Sequence, residues 1–326
     1  MHKPAPDSPT AQWRPPNRAA HGRTQTTNDN DNNNNNNNNN KTDTLPPSHQ
    51  THTLSLNMKR ILNLILFAAI SLTAAAQPAY THPWQGKRIA YFGDSITDPR
   101  VKAGTKKWWT MLSEWLQATS YCYAISGRQW NDIPRQVEAL TTEHGQDVDA
   151  IIILMGTNDY IHSVPLGEWY NIEERDVVYT ENRQQMTQRR KHRTLCINDT
   201  TFRGRINKAM KMIKDMFPTK QVVLLTPIHR AYFSSSPTNI QPDELYPNSI
   251  GLWVDSYVEA VKEAGNVWAV PVIDLNATSG LYPLADSHAQ YFSRPDADRL
   301  HPNDAGYTRM ARTIYCQLSA LPCTLE

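Results

Sequence analysis

From residue 88 onward, short apolar runs alternate with amphipathic stretches. The runs Arg88–Phe92, Ser120–Ile125, Ala150–Met155, Gln221–Thr226 and Val267–Ile273 read as buried strands, too short for helices and apolar on both faces. Between them, Lys106–Gln117, Phe202–Met216, Gly251–Ala264 and Asp304–Leu318 carry apolar residues at helical spacing. In the first of these, Trp108, Met111, Leu112, Trp115 and Leu116 follow the pattern, and Trp108, Trp109 and Trp115 are read as core. Alternation of this kind predicts a five-stranded parallel sheet with helices on both faces, a three-layer α/β/α sandwich.

One stretch breaks the rhythm. Between Asp159 and Thr201 lie roughly forty polar residues without a long apolar run, which predicts an inserted loop or lid at about 160–200. It holds Trp169, Tyr170 and Tyr179 and the basic cluster Arg189-Arg190-Lys191-His192-Arg193. The cluster reads first as a solvated surface, and alternatively as a contact to an acidic substrate such as a uronic-acid sugar.

The N-terminal quarter is different material. Residues 1–57 are polar, carry repeated Pro and contain an unbroken Asn32–Asn40 tract, a composition that cannot bury enough apolar surface to fold. Met58-Lys59-Arg60, the apolar Ile61–Ile70 and Ala74-Ala75-Ala76 then match a secretory signal peptide over 58–76, with Met58 read as the working start. The apolar run, about 16 residues, is short for a membrane span. No Cys follows it to take a lipid. The expected product is one exported domain, 77–326, periplasmic or secreted and without a stable membrane anchor once the leader is gone.

That domain has 26 basic and 27 acidic side chains, a net charge of −1, which gives no electrostatic case for nucleic acid. Export permits disulfides among Cys122, Cys196, Cys316 and Cys323, with Cys316–Cys323 the most local pairing and Cys122 alternatively a buried thiol. No C-x-x-C occurs, so zinc has no support.

Three groups of residues carry chemistry. Gly93-Asp94-Ser95-Ile96-Thr97 follows the first strand directly, where an open α/β sheet presents reactive groups. Ser95 is the candidate nucleophile, and G-x-S-x-G is absent from the chain. Gly156-Thr157-Asn158-Asp159 ends the third run, and the Asn158 amide can donate to a developing oxyanion. Gly127, after the second strand, can add a backbone N–H at close approach. Near the C-terminus, Asp298 precedes His301 by three residues, within reach to fix its tautomer, and Pro302 keeps His301 out of helical geometry, on a loop.

Taken together, Gly93-Asp94-Ser95, Gly127, Gly156-Thr157-Asn158-Asp159 and Asp298-x-x-His301 resemble the four blocks of the SGNH, or GDSL, hydrolase family, in the family's order over residues 88–320. The resemblance implies a flavodoxin-like fold and a Ser95-His301-Asp298 triad. It also implies an oxyanion hole from the Ser95 N–H, the Gly127 N–H and the Asn158 side chain, and a serine carboxylic-ester hydrolase that needs no cofactor or metal. The first block ends in Ile rather than Leu, which leaves the chemistry intact.

Export, the wealth of Trp and Tyr against 6 Phe, and the lack of a long apolar lid favour a carbohydrate ester with a short acyl group, most readily acetyl. Trp130, Trp169 and Tyr170 are candidates for stacking on sugar. Asp94, Asp159, Tyr160, His162, His229 and Arg230 lie beside strand ends as candidate substrate contacts. A lysophospholipase-like acyl-esterase and a catalytically idle glycan-binding relative stay open as alternatives.

Overall fold

The computed structural model describes residues 58–63 and 80–325. The chain divides into two units, 1–77 and 78–326. In the first, residues 58–63 are helical; the expected extension and the rest of the expected leader fall outside the described residues.

In the second unit, β1 (Arg88–Gly93), β2 (Thr119–Cys122), β3 (Ala150–Leu154), β6 (Gln221–Leu225) and β9 (Val272–Ile273) form a parallel sheet in the order β2-β1-β3-β6-β9. This is the flavodoxin-like order. The apolar runs are strands because both faces are covered, and successive side chains feed two separate cores. Ala90, Phe92, Ile151, Ile153, Val222 and Leu224 point to one layer, and Ile89, Tyr91, Ile152, Leu154, Val223 and Leu225 to the other. Helices α2 (Ile133–His144), α4 (Phe202–Met216) and α5 (Val254–Trp268) close the first core; α1 (Trp108–Leu116) and α7 (Asp304–Leu318) close the second. Each such fully buried aliphatic side chain contributes about 1.5–3 kcal/mol, so truncating one in the central strand, as in Ile152→Ala, costs about 2–5 kcal/mol.

Two short helices, α3 (Thr157–Ile161) and α6 (Leu275–Thr278), follow β3 and β9. A smaller antiparallel sheet, β10-β11-β7-β8, is built from Phe233–Ser236 (β7), Asn239–Gln241 (β8), Phe292–Arg294 (β10) and Asp298–Pro302 (β11). His301 therefore sits on a short strand and not on a loop: Pro302 blocks a helix, and the β10–β11 ladder takes up the extended chain.

The expected 160–200 loop is regular structure. β4 (Tyr170–Glu181) and β5 (Gln184–Leu195) pair antiparallel from Tyr170↔Leu195 to Glu181↔Gln184. Their tip, Asn182 and Arg183, takes positive φ at both positions, 48° and 64°, the geometry of a tight hairpin turn. Almost every ribbon residue is exposed, so neither face imposes the apolar alternation by which strands are read.

Elsewhere the corrections are local. The expected strand at Val267–Ile273 is a strand only at Val272–Ile273; its first two residues end α5, which runs four residues past Ala264 until Ala269 caps it in the left-handed conformation. Helix α2 was not anticipated; Pro134 opens it and Ile133, Val137 and Leu140 bury one face. Trp108 is buried and Trp109 half-buried, but Trp115 is 41% exposed. All four cysteines are free thiols: Cys323 turns into the core beside Trp84 and Leu318, whereas Cys316 stays exposed on α7, so the local pairing does not form. Among the described residues no helix is long and apolar enough to cross a membrane.

Candidate active site

The turn after β1 is fixed before any ligand arrives. A Cβ on Gly93 would lie 2.7 Å from both the Leu154 carbonyl oxygen and Thr97 Oγ1, so only glycine lets the chain leave the strand here. The Asp94 carbonyl accepts from the Thr97 and Asp98 amides at 3.1 and 2.8 Å, and Asp94 Oδ1 accepts from the Ile96 amide at 3.0 Å. Gln136 of α2 clasps Gly93 from behind, accepting from its amide at 2.9 Å and donating to its carbonyl at 3.1 Å. Ser95 is left at the end of this turn, 6% exposed.

Ser95 Oγ lies 2.9 Å from His301 Nε2. The other imidazole nitrogen, Nδ1, is 3.0 and 3.1 Å from the two Asp298 oxygens. Asp298 also accepts from the Leu300 and His301 amides and from the Ser293 hydroxyl, at 3.1, 2.9 and 2.7 Å. Burial pushes its carboxyl up, but the hydrogen bond and charge of His301, with Ser293, outweigh that and hold it below the ordinary carboxylate value. The Phe233 ring packs edge-on against the imidazole at 5.2 Å.

Two loops complete the rim. Asp98 accepts from the Ser126 amide at 2.8 Å, tying the Gly127 turn to the Ser95 turn. Gly127 has φ +76°, a backbone conformation open chiefly to glycine. Neither the Ser95 nor the Gly127 amide donates to a protein acceptor among the described residues. Asn158 lies in the first turn of α3, and its amide nitrogen donates to the Arg128 carbonyl at 3.0 Å and, more weakly, to Asp94 Oδ2 at 3.3 Å. An incoming oxygen can take over the longer contact.

The other candidate contacts separate from this centre. Trp130 is fully buried, with Nε1 on the Met155 carbonyl, so it is core and unavailable for stacking. Asp159 is buried, pairs with Arg205 at 2.9 Å and accepts from the Trp130 amide; burial pushes it up to about 6. Tyr160 is buried and donates to the Tyr246 carbonyl at 2.6 Å. Trp169 donates to Glu263, and Tyr170 lies under Arg193 at the root of the ribbon. His229 holds Glu244 at 2.6 Å, and His162 is exposed. Arg230 is 1% exposed, with its Nε unpartnered and its Nη2 on Gln241. These residues position loops; only the Asp94 side chain bonds to a side chain of the Ser95–His301–Asp298–Asn158 group, and the His162 amide donates to the Asn158 carbonyl at 2.9 Å. Asp94 is itself buried, and that burial pushes its carboxyl up to about 7.

Sequence reasoning missed Lys107. Its Nζ is buried, 2.9 Å from the Tyr307 hydroxyl and 3.4 Å from the Ser95 carbonyl oxygen. Burial lowers it to about 8. A lysine opening an amphipathic helix reads as a surface residue, and only the packing of α7 against α1 reveals otherwise.

Clefts of 360, 300, 490 and 420 Å³ open on the surface, and neither Ser95 nor His301 lines any of them.

A model of the GDSL-like Lipase/Acylhydrolase family matches residues 91–309. Among solved structures, one is 25% identical with a TM-score of 0.55, covering 74% of this chain and 100% of its own. A protein from Lactobacillus plantarum is 21% identical with a TM-score of 0.54, over 73% of this chain and 98% of its own. A possible lipase from Chitinophaga pinensis is 18% identical with a TM-score of 0.55, over 74% and 100%. The latter two likenesses speak for the fold alone. No curated protein matches the chain in sequence.

Proposed function

This chain belongs to the GDSL-like lipase/acylhydrolase family, hydrolases that act on esters, and from that premise we propose that it is a serine esterase removing short acyl groups, acetyl foremost, from carbohydrates. The observation that carries the mechanism is the relay from Ser95 Oγ to His301 Nε2 at 2.9 Å and from His301 Nδ1 to Asp298 at 3.0 Å. His301 takes the Ser95 proton as Oγ attacks the ester carbonyl, and Asp298 stabilises the imidazolium. The tetrahedral oxyanion meets the unengaged Ser95 and Gly127 amides and the Asn158 amide released from Asp94. Collapse expels the alcohol, which takes the proton from His301, and leaves an acyl group on Ser95. Water then attacks with His301 again as base, and the acid leaves.

The short acyl group is supported by the low exposure of Ser95 and His301, 6% each. The carbohydrate reading rests on the signal-peptide pattern at 58–76 and on the exposed aromatics Tyr232, Tyr246, Trp253 and Tyr282, on loops of the same unit. Export to the periplasm or beyond is part of the proposal.

Hydrolysis of a 4-nitrophenyl ester ladder from acetate to palmitate, beside the Ser95→Ala variant, tests it. Activity concentrated at acetate and lost in the variant is expected. A maximum at long chains would move the assignment to a lipid acyl-esterase, because each buried CH₂ adds about 0.8 kcal/mol to binding.

A further inference from the structure

The ladder that presents the triad has a second face. Phe233 pairs with Asp298 between β7 and β11, and the Phe233 ring turns to His301. The neighbouring residues Tyr232 and Arg299, joined by the Arg299 amide donating to the Tyr232 carbonyl at 3.0 Å, alternate to the opposite side. There they line a cleft of about 300 Å³, closed by Pro283, Asp243, Pro295 and Asp296.

The lining has a definite chemical character. Tyr232 is 42% exposed, and its hydroxyl bonds to no protein group among the described residues. The Asp296 side chain, on the β10–β11 turn, is likewise without a bonded partner among the described residues, and Asp243 spends one oxygen on the Leu245 amide at 2.9 Å. Arg299 is spoken for: it donates to the Pro295 and Pro283 carbonyls and to Asp286, at 2.6, 3.2 and 2.8 Å. It braces the wall through Nε and Nη1, and Asp286 offsets its charge. The cleft thus offers an aromatic face, proline faces and two acceptor-only carboxylates, Asp243 and Asp296, against one cation that Asp286 offsets. A carbohydrate ring presents an apolar C–H face and a rim of hydroxyl donors, which matches aromatic and carboxylate together. A uronate would bring its own charge against Asp243 and Asp296.

We propose that this cleft is a glycan-holding subsite that takes a neutral sugar of the chain whose ester Ser95 cleaves. The proposal rests on the carbohydrate reading above and adds to it a place and a sign: the preferred polymer is uncharged, contrary to the uronic-acid reading of the basic ribbon.

The test compares wild type with Tyr232→Ala and Asp296→Asn on 4-nitrophenyl acetate, acetylated xylo-oligosaccharides and acetylated oligogalacturonides. Unacetylated xylo-oligosaccharides are titrated calorimetrically in parallel. Losing the aromatic face is expected to raise KM for the acetylated xylo-oligosaccharide about two- to tenfold. Its kcat and the rate on 4-nitrophenyl acetate stay unchanged, as no misfolded variant would allow. Asp296→Asn is expected to lower KM for the oligogalacturonide. Unchanged KM in both variants, or an oligogalacturonide accepted by wild type as well as the neutral oligosaccharide, overturns the proposal. If wild type cleaves the aryl ester but neither acetylated oligosaccharide, the carbohydrate reading fails, and the titration decides the cleft. Binding that Tyr232→Ala abolishes supports it; no binding overturns it.

Discussion

In the turn from Gly93 to Asp98, Asp94, Thr97 and Asp98 are each no more than 1% exposed, and each accepts from a backbone amide, an indole or a guanidinium. In the β4–β5 ribbon, Arg189 and Asp176 face each other at 3.7 Å with 65% of each side chain in water. The first arrangement makes every polar group depend on its neighbours, since a buried group left unpaired costs about 1–3 kcal/mol. The second leaves charges that water satisfies as well as any partner, worth about 0–1 kcal/mol per pair. Chemistry that requires an oriented hydroxyl and imidazole belongs in the first environment, and substitutions should separate the two regions by orders of magnitude.

The widest separation is expected at the triad. Ser95→Ala or His301→Ala should lower kcat on 4-nitrophenyl acetate about 10⁴- to 10⁶-fold with the thermal transition retained, and Asp298→Asn should cost about 100-fold less. A melting scan beside the rate assay checks both halves of this. Next comes Asn158→Ala, expected to cost about 10²- to 10³-fold in kcat with KM nearly unchanged, because the oxyanion exists only in the transition state.

Asp94 sets the buried turn apart through pH as well. Burial pushes its carboxyl up to about 7, so the folded state binds a proton that the unfolded chain has released. Stability is therefore expected to fall as pH rises from about 4 to 7, and Asp94→Asn should flatten that slope in a series of melts across the range. Asp298 works in the opposite sense: held low, it contributes stability above the ordinary carboxylate range that is lost as pH falls through it. The smallest effect is expected in the ribbon, where Arg189→Ala or Asp176→Ala should change stability by no more than about 0.5 kcal/mol and leave kcat on the aryl ester untouched. A tenfold loss of activity there would show that the ribbon takes part in turnover.

The same contrast explains what could be read in the sequence. Ser95, His301 and Asp298, which the fold brings into one hydrogen-bonded group, were legible because residues of these types fall beside strand ends, and α4 and α7 were legible to the residue because one face of each is buried. The ribbon was not, since a hairpin wet on both faces carries no period of two; Val177-Val178-Tyr179-Thr180 before Asn182 was the remaining signal. Trp130 misled for the opposite reason: its place beside the Gly127 turn suggested a ligand platform, and only the fold shows its indole bonded to the Met155 carbonyl in the core. Lys107 and Gln136 support the site through contacts with residues distant in sequence, Tyr307 and Gly93, which local pattern does not encode.

Whether Ser95 is the nucleophile is decided by intact-mass and peptide mapping after treatment with a fluorophosphonate ester. One adduct per chain on the peptide carrying Ser95, absent from Ser95→Ala and sharply slowed in His301→Ala, is the predicted result. An adduct on another residue, or undiminished ester hydrolysis by Ser95→Ala, would contradict the account.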